Sequence, residues 1–113
     1  MRPLDRSIHR VYTLTVDTEY QGMRFEWDDD KAEANIVNHS VTFFEAVTVF
    51  GDPLSVIGDD DEHSISERRF LTIGRSNQDR LLIVSYTERE AVTRIISARE
   101  AEPREIRAYE QGE

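Results

Sequence analysis

The sequence predicts an α+β fold: a small, mostly antiparallel sheet of about four to five strands, with two N-terminal helices packed on it and a C-terminal helix. Three observations predict it. Residues 67–99, ERRFLTIGRSNQDRLLIVSYTEREAVTRIISAR, fall into three runs of strand-forming residues separated by two short polar turns. Residues 28–50 carry two helix-start signals in succession, Asp28 ahead of Asp29 and Asp30, and Thr42 three residues ahead of Glu45. At 113 residues the chain has room for about one core, so the three-stranded meander supplies most of one sheet.

Residues 1–22 form an N-terminal extension ahead of a single domain over residues 23–113. Within the extension Val11–Val16 is rich in β-branched residues and reads as a strand, ordered where it pairs with the sheet edge; Gly22 ends it. Arg24–Trp27 alternates and reads as a short strand. Asp28 then caps a helix over about 29–38, with Asp29 and Asp30 at its positive end and Ala32, Ile36 and His39 as its inward stripe. Thr42 and Glu45 form a capping box for a second helix to about Phe50, burying Phe43, Ala46, Val47 and Phe50. Gly51-Asp52-Pro53 stops it.

Leu54–Ile57 reads as a strand and Gly58–Glu62 as an acidic loop. In the meander, Arg68–Arg75 places Phe70 and Thr72 on one face, with Leu71 and Ile73 on the other together with Arg69 and Arg75. Ser76–Asp79 is a turn. Arg80–Thr87 sorts Leu82, Val84 and Tyr86 from Leu81, Ile83 and Ser85. Glu88–Glu90 makes the second turn and Val92–Arg99 the last strand. Pro103 suits the first turn of a helix over 103–111, with Ile106 and Tyr109 facing inward.

Composition narrows the function classes. The net charge is −9, and all of it lies in residues 1–62, where five basic residues face fourteen acidic ones; residues 63–113 balance nine against nine. Overall acidity argues against generic nucleic-acid binding and suits a basic protein partner. Thirteen of the fourteen basic residues are arginine, the side chain that grips phosphate or carboxylate with a planar fork. There is no cysteine, hence no disulfide framework or thiolate metal site. No apolar run approaches the roughly 18 residues of a membrane span, and the N-terminus lacks a signal-peptide core. A cytoplasmic protein is expected.

The string FEWDDDKAEANIVNHSVTFFEAVTVFGDPLSV, followed by DDDEHSISERRFLTIGRS, DRLLIVSYTERE and TRIISAREAEPREIRAYE, resembles the BrnT family, the toxin halves of type II toxin–antitoxin modules. The resemblance covers residues 23–111 and leaves the extension unmatched. It implies a RelE-like fold and a metal-independent endoribonuclease, with no cofactor. It also implies a BrnA-like antitoxin partner carrying a DNA-binding segment, a heterotetramer with that antitoxin, and operator DNA reached only through it. The chain departs from the family pattern at Asn38-His39-Ser40, where Lys-His-Gly is common, and at Asp79, where glycine is common. It is also more acidic around the first helix.

Metal-free RNA cleavage uses the RNA's own 2′-hydroxyl as nucleophile. The protein must take that proton, stabilise the phosphorane and protonate the leaving oxygen. The candidates for this work are His63, Glu67, Arg80, Arg94 and Arg99. His63, in DxxHSxxER, has an ordinary pKa suited to acid or base work, and its bland alternative is a loop-ordering pair with Asp60 or Glu67. Glu67 can orient His63 or serve as base, or be a solvated strand-end carboxylate. The three arginines can bind phosphate, or pair with Glu88, Glu90, Glu100 or Glu105. Simple alternation puts Arg94 and Arg99 on opposite faces of the last strand, with Arg80 able to share a face with Arg94.

Tyr109, His39 and Trp27 read as packing residues. The acidic run ending at His63 lacks the ligand spacing and glycine of a calcium loop. A second reading of the whole chain is a non-catalytic toxin-fold protein that only binds a basic antitoxin. A third is a freestanding acidic regulator that competes with nucleic acid for a basic protein.

Overall fold

A computed structural model describes residues 14–63 and 67–112, with the His63 side chain outside the description. Among the described residues six strands form one sheet: β1 (Thr15–Tyr20), β2 (Met23–Asp28), β3 (Val56–Asp59), β4 (Phe70–Arg75), β5 (Leu81–Arg89) and β6 (Val92–Glu100). Their order across the sheet is β1-β2-β6-β5-β4-β3. Every neighbouring pair is antiparallel except β2 and β6, where the chain returns in parallel beside its own start. The α+β class holds, with more strands than the four to five expected, because the extension contributes β1. Of the strand expected over Val11–Val16, residues 11–13 lie outside the described residues, and β1 runs on to Tyr20.

Helix α1 (Asp29–His39) starts where Asp28 predicts: the Asp28 carboxylate accepts from the amides of Asp30 (2.8 Å) and Lys31 (3.3 Å). It ends at Ser40, which takes the left-handed conformation (φ 57°) without the help of a glycine. The expected inward stripe of Ala32, Ile36 and His39 holds at Ala32, which packs half-buried against the core, and is corrected at the other two. Ile36 and His39 are exposed, and Asn35 is the one buried residue of α1. Its amide nitrogen donates to the carbonyls of Val41 (2.8 Å) and Ala98 (2.9 Å), and its side-chain oxygen accepts from the Ala98 amide (3.0 Å). A polar side chain is stable there because every one of these bonds is satisfied.

Helix α2 (Phe43–Thr48) is capped by Thr42, whose hydroxyl accepts from the Glu45 amide at 3.0 Å. The reciprocal half of the expected box does not form, because Glu45 turns inward to Arg80. A 3-10 turn over Val49–Gly51 completes the segment. Val49 presses on β4 so closely that a Cβ on Gly74 would lie 2.7 Å from its Cγ1, which fixes glycine there.

Both helices cover one face of the sheet. Phe25, Trp27, Phe43, Val47, Leu82, Val84, Tyr86, Ile95 and Ala98 form the buried cluster. Trp27 meets Phe43 and Phe44 edge-on, and Phe50 bridges Phe25 and Tyr86. Val16 and Tyr20 from β1 pack against this cluster, so the extension contributes apolar contact as well as a strand. Leu82, Val84 and Tyr86 point inward as alternation predicts. Burial and desolvation raise the Tyr86 phenol to about 12.

Three boundaries shift. β3 begins two residues after the expected Leu54, which is exposed. The β5–β6 turn is Glu90-Ala91, both at positive φ (49° and 68°), in place of Glu88–Glu90. Asp79 in the β4–β5 turn also has positive φ (60°), so an aspartate occupies a conformation that glycine adopts freely. Helix α3 (Pro103–Gln111) matches its expected span; the Glu105 carboxylate accepts from the Glu102 amide at 2.8 Å, and Gly112 closes the helix at φ 74°. Among the described residues no helix is long and apolar enough to cross a membrane.

Candidate functional site

The face of the sheet away from α1 and α2 carries the arginines. Pairing registers arrange it as rows of side chains running across the strands. One row is Glu19, Arg24, Val92 and Arg89; the next is Asp17, Glu26, Arg94 and Thr87. A third joins Ser97, Ser85 and Leu71, and a fourth joins Arg99, Ile83 and Ile73. The outer rows are therefore ionic, and the inner rows grow apolar toward β4.

Arg94 and Arg99 share this face, which corrects the expectation from simple alternation. Tyr86 pairs with Ile95 and Ser85 with Ser97, so Ile96 is an extra residue in β6, a β-bulge. Ile95 and Ala98 both point into the core on either side of it, and the parity of every residue beyond it reverses. Arg99 thereby returns to the face that holds Arg94. Both Ile96 and Ser97 line an open cleft of about 380 Å3 on that face, together with Arg69, Ser85, Arg99 and Arg104. Asp60 and Glu62 form its acidic rim.

Three of these arginines, Arg89, Arg94 and Arg99, are each met by a carboxylate. Arg99 grips Glu105 of α3 with both terminal nitrogens (2.8 and 2.7 Å). The Arg99 hydrogen bonds hold the Glu105 carboxyl below its ordinary range. Arg89 grips Glu67 in the same way (2.6 and 2.8 Å), which holds the Glu67 carboxyl low; Arg94 and Arg69 add to the effect. Glu67 thus stands within the field of three arginines and is ionised at neutral pH. Arg94 faces Glu26 at 3.4 Å, the loosest of these pairs.

Arg80 lies elsewhere. Its guanidinium is held on the helix-covered side by Glu45, through Nε at 2.9 Å and a second bond from Nη2, and by the Ser40 carbonyl at 3.2 Å. Ser76 adds a 2.7 Å bond to the same carboxylate. The Arg80 hydrogen bonds hold the Glu45 carboxyl low, against the opposing effect of burial. Arg80 therefore does not share a face with Arg94. Of the five candidates, the structure brings Glu67, Arg94 and Arg99 to one surface and sets Arg80 apart. His63 closes a 3-10 turn, Asp61–His63, next to the cleft's acidic rim; its side chain lies outside the described residues.

Other residues of this face did not stand out in the sequence. Arg104 is read there only as part of a helix, and Ser97 and Glu26 carry no motif. Their positions follow from the bulge and from the parallel β2–β6 pairing, neither of which leaves a mark in alternation. At the far end of α3, Tyr109 donates to Asp52 at 2.7 Å. Burial pushes the Asp52 carboxyl up, and hydrogen bonds from Tyr109, the Arg75 amide and the Leu54 amide outweigh it and hold it low. Asp59 is held by Arg68, at 2.8 and 3.1 Å. Among the described residues no group of three or more histidines, aspartates or glutamates is set to hold a metal.

A family model described as "ribonuclease toxin, BrnT, of type II toxin-antitoxin system" matches residues 27–105. Among solved structures, the fold is similar to the crystal structure of the Brucella abortus ribonuclease toxin BrnT. The TM-score is 0.52 at 20% identity, covering 67% of this chain and 92% of that one. No curated protein sequence matches.

Proposed function

The chain belongs to the BrnT family of type II toxin–antitoxin ribonuclease toxins, and from that premise we propose that it is a metal-independent endoribonuclease whose RNA lies across the open face of the sheet. One observation supports the placement: the bulge at Ile96 sets Arg94 and Arg99 on one face, with Glu67, forked to Arg89, in the field of the first and the cleft beside the second. Arg94 and Arg99 hold the scissile phosphate and stabilise the charge that grows on its oxygens. Glu67, kept ionised by its arginines, takes the 2′-hydroxyl proton, and His63 supplies a proton to the leaving oxygen. The O2′–P bond forms as the P–O5′ bond breaks, giving a cyclic phosphate and a free 5′-hydroxyl. Arg80 serves the fold by neutralising Glu45.

In this reading the toxin acts in the cytoplasm. It is silenced by a basic BrnA-like antitoxin, whose charge complements the acidic residues 1–62 and whose DNA-binding segment reaches the operator. A second reading, a binding-only toxin fold, is favoured by one observation: Arg89, Arg94 and Arg99 each already face a carboxylate. Incubating the purified chain with total RNA in EDTA, beside Arg94→Ala/Arg99→Ala, separates the two. Cleavage by the wild type alone supports the ribonuclease. Equal cleavage by both removes the site from this face, and cleavage by neither favours the binding-only protein.

A further inference from the structure

We infer that the Thr87 hydroxyl is a phosphate-contacting group of this site, donating to a non-bridging oxygen of the RNA backbone alongside Arg94; this rests on the ribonuclease reading above. Among the described residues the Thr87 hydroxyl is the one fully buried side-chain polar atom with no hydrogen-bond partner, in a residue at 1% exposure. Buried hydroxyls are almost always bonded, and one left over points to a partner that arrives from outside. Its position fits such a partner. Thr87 stands on the arginine-bearing face, directly opposite Arg94, and Arg94 is directly opposite Glu26.

Glu26, Arg94 and Thr87 therefore form one line across three strands. Arg94 is only loosely held by Glu26, at 3.4 Å, while Arg89 and Arg99 form tight forks with their carboxylates. A phosphate is a better bidentate partner for Arg94 than a distant carboxylate. In this proposal, the guanidinium's move from Glu26 to the phosphate also opens the Thr87 hydroxyl, its neighbour across the strand pair, to the same phosphate. The hydroxyl then gains the acceptor it lacks in the free protein. No proton leaves it: Thr87 binds, and the proton transfers stay with other groups.

The test uses Thr87→Val, which keeps shape and removes the hydroxyl, and Thr87→Ser, which keeps the hydroxyl. Three quantities are measured on each full-length protein: thermal midpoint, cleavage of RNA, and binding of a 2′-deoxy oligonucleotide that cannot be cut. Removing an unbonded buried hydroxyl does not destabilise a fold, so Thr87→Val is expected to melt at or above the wild-type temperature. It is expected to bind the oligonucleotide about tenfold more weakly and to cleave more slowly by at least that factor. Thr87→Ser is expected to bind and cleave within about threefold of wild type.

Wild-type binding and cleavage by Thr87→Val overturn the inference while the ribonuclease reading stands. A lower melting temperature for Thr87→Val also overturns it, since the hydroxyl would then be serving the fold. A wild type that neither cuts RNA nor binds the oligonucleotide removes the ribonuclease reading, and this inference with it.

Discussion

Replacing Arg80 should damage the fold, and more so than replacing the glutamate it pairs with. The Glu45 side chain is 2% exposed and the Arg80 side chain 28%. Removing Glu45 leaves an arginine that still reaches the Ser40 carbonyl and water. Removing Arg80 leaves a carboxylate sealed in the protein with only the Ser76 hydroxyl as donor. Stranding a buried charge costs about 3–5 kcal/mol, whereas losing charge-assisted bonds from a partly solvated group costs about 1–3 kcal/mol. Arg80→Ala is therefore expected to lose about 3–5 kcal/mol at pH 7, and Glu45→Ala distinctly less. The double variant should recover part of the Arg80→Ala loss, because no orphan charge remains.

The pH dependence separates the variants further. In the wild type the Glu45 carboxyl is held low, so its contribution is present above the carboxylate's ordinary range and is lost as pH falls through the lowered value. In Arg80→Ala burial dominates and raises that carboxyl, so the penalty shrinks as pH falls. Equilibrium urea denaturation at pH 7 and pH 5 reads both effects. At roughly 1–3 kcal/mol per molar urea, the Arg80→Ala midpoint should drop by at least about 1 M. A loss under about 0.5 kcal/mol for Arg80→Ala, or a larger loss for Glu45→Ala, would refute the buried-charge account and return Arg80 to the list of RNA-binding candidates.

Asn35→Leu should cost about 2–4 kcal/mol in the same assay, because the Val41 and Ala98 carbonyls and the Ala98 amide each lose their side-chain partner. Glu90→Asn with Ala91→Gly should raise stability by about 1–2 kcal/mol, since both positions have positive φ that the new residues tolerate; unchanged stability would show the turn to be unstrained. Glu45, Asp52 and Glu105 all have lowered carboxyls, so stability should be flat near neutrality and fall once the pH drops below about 4; Asp52→Asn should flatten part of that fall in acid-titrated circular dichroism.

Much of the fold was legible because local chemistry and global packing agree. Asp28 and Thr42 announce helix starts through the acceptors they offer. Leu82, Val84 and Tyr86 announce an inward face by period two, and Pro103 marks the start of α3. The failures fall where long-range contact overrides local pattern. Asn35 looks like a surface residue until β6 supplies the Ala98 backbone that it brackets. Glu45 looks like the second half of a capping box until Arg80, 35 residues later, claims its carboxylate. The Glu90-Ala91 turn hides because neither residue favours positive φ; hairpin closure imposes it.

The candidate site was legible only as a stretch of spaced arginines, with Arg80 wrongly grouped with Arg94, and illegible as a surface. Arginines spaced along residues 67–99 suggest anion contact, yet strict alternation splits Arg94 from Arg99. The single extra residue at Ile96 reunites them, and no side-chain preference in Arg94–Arg99 announces it. Bulges redirect side chains at the cost of one ladder step, and here the redirected side chain is the arginine that faces α3. The consequence for charge is as important. A surface on which Arg89, Arg94 and Arg99 meet Glu67, Glu26 and Glu105 has little net field of its own. In the proposed reading RNA binds there by exchange, with phosphates displacing carboxylates from guanidinium forks, and exchange releases fewer counterions than binding to bare cations. The dependence of RNA affinity on salt should accordingly be shallower than the number of arginines at the interface implies. Glu26→Gln should tighten binding by freeing the arginine whose carboxylate grip is weakest.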